Sequence, residues 1–128
     1  MKESIIPKDG PKPVAPYSPG LRANGFVFLS GQIPAHPQTG ELVTGDIQAQ
    51  CVRVLENLKL VLDAAGLTLD DLVKTTVFLK NMGDFAKMNE TYGSYFKNAP
   101  PARTTVEVAR LPRDVQIEIE AIALDRAK

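Results

Sequence analysis

The stretch PPARTTVEVARLPRDVQIEIEAIAL, residues 100–124, sets Arg103, Glu118 and Glu120 inside two strand-like runs. A guanidinium offers a planar fork of donors that fits a carboxylate, and a carboxylate can orient water or relay a proton. Those capacities depend on where the strands point the side chains. With Pro112-Arg113 as the loop of a hairpin, Leu111 faces Asp114 and Val108, Val106 and Thr104 oppose Ile117, Ile119 and Ala121. That set is the expected core face. Side-chain alternation then sends Arg103, Thr105, Glu107, Ala109, Glu118, Glu120 and Ile122 to the other face. The register opposes Glu107 to Glu118, an unfavourable pairing that a cation, an even-numbered offset or a partner subunit would relieve.

Two readings of the charged face stand side by side. Antiparallel sheets often keep one wet side, which makes these residues a solvated surface. Yet Ala109, Ile122 and Leu124 share the face, and a mixture of apolar and charged groups also describes an oligomer interface with a polar site at its rim.

The rest of the chain must supply the elements that hold these strands. The first twenty residues contain five prolines and two glycines, an extended or turning arm and no helix. FVFLSGQIP reads as a strand that stops at Ser30-Gly31, and HPQTGE as a polar loop. Ile47, Cys51, Val54, Leu55, Leu58, Leu62 and Ala65 follow one helical face, with Asp46 as N-cap and Gly66 at the C-terminal end. LVKTTVFLK is strand chemistry. A second helix starts near Asp84 and turns Phe85, Met88, Tyr92, Tyr95 and Phe96 inward. Strand, helix, strand, helix and two strands give one α+β domain over residues 1–128, a two-layer sandwich with both helices on one sheet face.

Fifteen basic and fifteen acidic side chains cancel, so no net field favours nucleic acid or an anionic membrane. The N-terminal residues lack a signal-peptide core and no run approaches a membrane span, so a cytoplasmic protein is expected. A single cysteine, Cys51, cannot form an internal disulfide and falls on the apolar helix face. The lone His36, in a polar loop, makes a poor metal site, and no metal is expected.

PARTTVEVARLPRDVQIEIEAIA resembles the C-terminal signature of the YjgF/Rid family, in its RidA branch of reactive intermediate deaminases. The likeness continues through APYSPG, SGQIP, NLKLVLDAAG, VKTTVFLK and DFAKMNETY, in family order over nearly the whole chain. The resemblance implies a chorismate-mutase-like subunit with a mixed sheet, assembled as a homotrimer with small-molecule clefts between subunits. It implies hydrolysis of 2-imino acids such as 2-iminobutanoate and 2-iminopropanoate, and their enamine tautomers, to 2-keto acids and ammonia without a cofactor. The competing class is a non-catalytic ligand-binding, regulatory or chaperone-like trimer using the same cleft.

Residue by residue, the resemblance implies that Arg103 clamps the substrate carboxylate and Glu118 positions the attacking water, with Glu120 as runner-up for acid/base work. Tyr17 would close over the substrate from the proline-rich arm. Ser30, Gly31, Asn89 and Thr105 would line the cleft. Thr105 departs from the family pattern, which carries cysteine there. Pro100 replaces a frequent aromatic, which bears on pocket size.

Overall fold

The computed structural model describes residues 1–10 and 13–126; residues 11 and 12 of the expected arm lie outside that set. Six strands and two helices follow in the order β1 (Glu3–Ile5), β2 (Gly20–Ala23), β3 (Phe26–Gln32), α1 (Ile47–Ala64), β4 (Leu72–Leu79), α2 (Phe85–Tyr95), β5 (Ala102–Glu107) and β6 (Ile117–Leu124). They form a single mixed sheet in the order β1-β2-β3-β6-β4-β5, in which only β4 and β5 run parallel.

The long helix forms as its periodicity predicts. Asp46 caps it by accepting from the Ala49 backbone N–H at 3.0 Å, and all seven residues of the expected apolar face are buried. They pack on Val27, Leu29, Val77, Leu79, Ile117, Ile119 and Ala121, the helix-facing set of the sheet. Truncating one of these leucines to alanine removes contacts that the close-packed core cannot restore, at about 2–5 kcal/mol. In α2, Met88, Tyr92 and Phe96 are buried as expected, whereas Phe85 stays exposed.

The expected hairpin does not form. Strand β4 inserts between β5 and β6, pairing in parallel with β5 and antiparallel with β6. The cause is the helix between β4 and β5: a strand, a crossover helix and a second strand return the chain parallel to where it began. The local turn survives, with Asp114 N–H donating to Leu111 O at 3.0 Å, but Arg113 and Asp114 both take positive φ. The segment after β5 then wraps the end of β4, with Val108 N–H donating to Leu79 O and Lys80 N–H to Gln116 O. Glu118 therefore faces Phe78 and Glu120 faces Thr76, and the repulsive Glu107–Glu118 pairing never arises. Glu107 accepts instead from the Met82 backbone N–H.

The parity changes with the pairing. Arg103, Thr105 and Glu107 lie beside Thr75, Val77 and Leu79, so they share the helix-covered face; Thr104 and Val106 point the other way. Glu118, Glu120 and Ile122 occupy that second face, which no element among the described residues covers. Exposed Phe26, Phe28, Val106 and Leu124 make it conspicuously apolar.

Two further differences come from short elements. Strand β3 continues through Ser30 and Gly31, where the register shifts between Leu29 and Gln32 in a bulge, and it does not stop there. The described residues of the arm are non-helical as expected, but its ends run into β1 and β2, paired Glu3 to Arg22 and Ile5 to Gly20. Among the described residues no helix is long and apolar enough to cross a membrane.

Candidate active site

On the helix-covered side, β5 presents Arg103 to α2. Residues 85, 89 and 92 recur at helical spacing, so Phe85, Asn89 and Tyr92 form one strip along that helix. The Arg103 guanidinium carbon lies 4.8 Å from the centre of the Tyr92 ring and 5.7 Å from that of Phe85. Among the described residues Arg103 makes no ion pair. Beside it are two buried polar atoms without a partner, Asn89 Oδ1 and Thr105 Oγ1. Buried polar groups are nearly always satisfied, and those that are not mark places where a ligand or water completes the site. Cys51 lies nearby, its pKa pushed up to about 12 by burial against the opposing charge of Arg103, so it remains a thiol.

The second group of residues gathers on the bare face. Glu118 projects from β6 over the bulge in β3, so close to Gly31 that a Cβ there would overlap its carboxylate. Burial, then the neighbouring Glu120, raises the Glu118 pKa. Its carboxylate is half-buried and the described residues give it no hydrogen bond. Glu120 is exposed. Ser30 does not offer a free hydroxyl: its Oγ donates to Ser18 O at 2.7 Å and its N–H to Pro19 O at 3.0 Å, which pins the proline-rich arm. That arm carries Tyr17, which lines a cavity of about 460 Å³ together with Gly31, Ile33, His36 and Arg113. His36 is spent on its own loop, where Nδ1 accepts from the Gln38 N–H.

Arg103 and Glu118 therefore do not meet within one chain, and their expected placement on a single face is overturned. The seven expected site residues separate into Arg103, Asn89 and Thr105 on one side of the sheet and Glu118, Gly31, Ser30 and Tyr17 associated with the other. Each group has an unmet need. The first has a cation and two polar atoms without partners, and the second has a desolvated acid beside a glycine.

The sequence model of the family described as Endoribonuclease L-PSP matches residues 7–125. The chain belongs to this family, the YjgF/Rid family. A RutC family protein of Pyrococcus horikoshii is 58% identical over 123 residues, 96% of this chain and 98% of that one. The 2-iminobutanoate/2-iminopropanoate deaminase of Escherichia coli K12 is 49% identical over 129 residues, 98% of this chain and 100% of its own. Among solved structures, Escherichia coli TdcF with bound serine superposes with a TM-score of 0.90 at 45% identity, covering 95% of this chain and 98% of that chain.

For this Rid-family chain, sequence reasoning missed the bed on which Arg103 rests. Phe85 and Tyr92 were expected only as core. Their spacing from Asn89 was the available signal, since any residue three or four positions from a site residue on a helix shares its face.

Proposed function

We propose that this protein is a cytoplasmic 2-imino acid deaminase that works as a homotrimer. One copy would supply Arg103, Asn89 and Thr105, and its neighbour Glu118, Gly31 and Tyr17. The observation that carries this reading is the separation of two complementary half-sites by the sheet. An unpaired guanidinium and a desolvated carboxylate, each open on one side, have a use if a second copy brings them together. The bare apolar face beside Glu118 is a suitable seat for that copy.

In such a cleft Arg103 binds the substrate carboxylate through paired hydrogen bonds. The neighbouring copy's Glu118 holds a water against the imine carbon and takes its proton as the oxygen attacks. The same carboxyl then gives its proton to nitrogen, and its carboxylate takes the hydroxyl proton as the C–N bond of the carbinolamine breaks, giving ammonia and the 2-keto acid. One water is consumed and no electrons are exchanged. A glutamate whose pKa is raised by burial suits both halves of that task. Tyr17 closes the cleft against solvent.

The relative that bears the deaminase name at 49% identity supports this chemistry. The short imino acids 2-iminobutanoate and 2-iminopropanoate are the substrates proposed. A ligand-binding role without turnover is the second reading, favoured by the serine bound in TdcF. An RNA-cleaving role, suggested by the family's descriptive name, has less support here, because the charges cancel and the sole histidine is committed to its own loop. The test couples the protein to a threonine dehydratase with semicarbazide as a competing trap. Faster loss of free imine, read as less imine captured by the trap, is expected, and no acceleration with intact trimer would leave only ligand binding.

A further inference from the structure

Arginines set into protein surfaces are commonly steadied by a carboxylate, which would compete with an anionic substrate for the same donors. Arg103 is steadied without one. Its neighbours are two aromatic faces, and the ring quadrupole attracts a cation without placing an acceptor in the guanidinium plane.

We propose that Tyr92 and Phe85 are positioning residues for the deaminase reaction, an aromatic shelf that sets the plane of Arg103 and leaves its N–H fork to the substrate carboxylate. The inference rests on the function proposed above and deepens it. The shelf is held in place from several directions. The Tyr92 hydroxyl shares a buried 2.7 Å hydrogen bond with Thr75, and the Phe96 ring packs 4.6 Å from the Tyr92 ring at a tilt of 39°. Thr75 is also the residue paired with Arg103 across β4 and β5, so ring and guanidinium are referenced to the same strand pair. The Tyr92 phenol, neutral already at its ordinary value of 10.0, is pushed further up by burial against the opposing pull of Thr75 and Arg103. A phenolate there would have been the competing anion. Phe85, exposed at the start of α2, flanks the guanidinium without serving the core.

The test uses the full chain and 2-oxobutanoate as a carboxylate probe. Tyr92→Leu removes the ring and is expected to weaken binding about tenfold, Phe85→Leu about threefold and Tyr92→Phe less than about twofold, in line with the worth of cation–π contacts. The kcat at saturating imine stays within about twofold of wild type in each, because only placement of the carboxylate clamp is disturbed. A second measurement, ¹⁵N relaxation of the Arg103 Nε–H in the ligand-free protein, is expected to show lower order in Tyr92→Leu and unchanged order in Tyr92→Phe. A folded Tyr92→Leu with wild-type affinity and wild-type order overturns the shelf. So does a Tyr92→Phe as impaired as Tyr92→Leu, which would assign the effect to Thr75. If Tyr92→Leu does not fold, Phe85→Leu decides by the same two measurements. A wild type that binds no keto acid defeats the substrate reading, while the relaxation comparison still judges the shelf.

Discussion

On the helix-covered side of the sheet, Arg103, Thr105, Asn89 and their aromatic neighbours all stand on β5 or α2, whose backbones are fixed by regular hydrogen bonding. On the bare side, Glu118 stands on a central strand, but its companions come from a bulge and a proline-rich arm pinned through Ser30. The two halves therefore differ in how they are held. The half around Arg103, proposed to bind the carboxylate, stands on regular elements of one chain, whereas the half around Glu118, proposed to handle water, is open and borders the arm. Binding a charged group benefits from rigid donors, which regular elements supply. The separation also keeps Arg103 and Glu118 of one chain from sharing a ligand, because they point to opposite faces of the sheet.

The largest expected effect follows from removing one half at a time. Arg103→Ala should reduce kcat/KM at least about a hundredfold by deleting the proposed charge-assisted bidentate pair, while light scattering still reports the proposed trimer. Glu118→Gln should lower kcat by about a hundredfold with keto-acid binding retained. Mixing the two variants and allowing exchange of subunits is the sharper experiment. With half-sites on different copies, about one site in four regains both wild-type groups, and activity returns to that level. No recovery after demonstrated exchange would place both groups in one chain and break the comparison.

Glu118→Gln carries a second expectation with a defined sign. The folded-state pKa of Glu118 is raised above its ordinary 4.5, so the native protein holds more protons than the unfolded chain between 4.5 and the raised value. Stability from this group is full below that window and is lost as pH rises through it. Glu118→Gln should therefore be more stable than wild type at pH 7, by about 2 °C in Tm, and should flatten that part of the pH profile. A less stable variant at pH 7 would mean that Glu118 serves the fold. Next in size, Gly31→Ala should displace the Glu118 carboxylate and lower kcat about tenfold, with a smaller change in keto-acid affinity.

Much of the fold was legible because the long apolar patterns have only one good solution. The face from Ile47 to Ala65 permits a helix and little else, and LVKTTVFLK suits a strand. Pairing was another matter. Two adjacent strands with a proline turn invite a hairpin, and nothing local in PARTTVEVARLPRDVQIEIEAIA discloses that a third strand lies between them. The disclosure was nonlocal: β4, α2 and β5 form a strand–helix–strand unit, which fixes β5 parallel to β4 and reverses the parity of Arg103 relative to Glu118. Strands β1 and β2, three and four residues long, are too short for alternation to show. Asn24-Gly25, with φ of 53° and 85°, was a readable hairpin signal joining β2 to β3. The candidate residues were named one at a time through the family resemblance, but their division between two faces was not legible, since it depends on pairing.

The smallest expected effect probes the quieter half. Thr105 Oγ1 is buried with no partner in the free chain, a costly state for a hydroxyl unless a ligand or its water meets it. Replacing it by the nearly isosteric valine removes that cost, so Thr105→Val should unfold about 2–4 °C higher than wild type. The same change should weaken 2-oxobutanoate binding by about threefold, because the complex loses the hydrogen bond that the hydroxyl was held ready to make. Thr105→Cys keeps a small polarisable group and should stay within about twofold in both affinity and kcat. Opposite signs for stability and binding in the valine variant identify a preorganised ligand contact; a loss of both would make Thr105 part of the packing between β5 and α2.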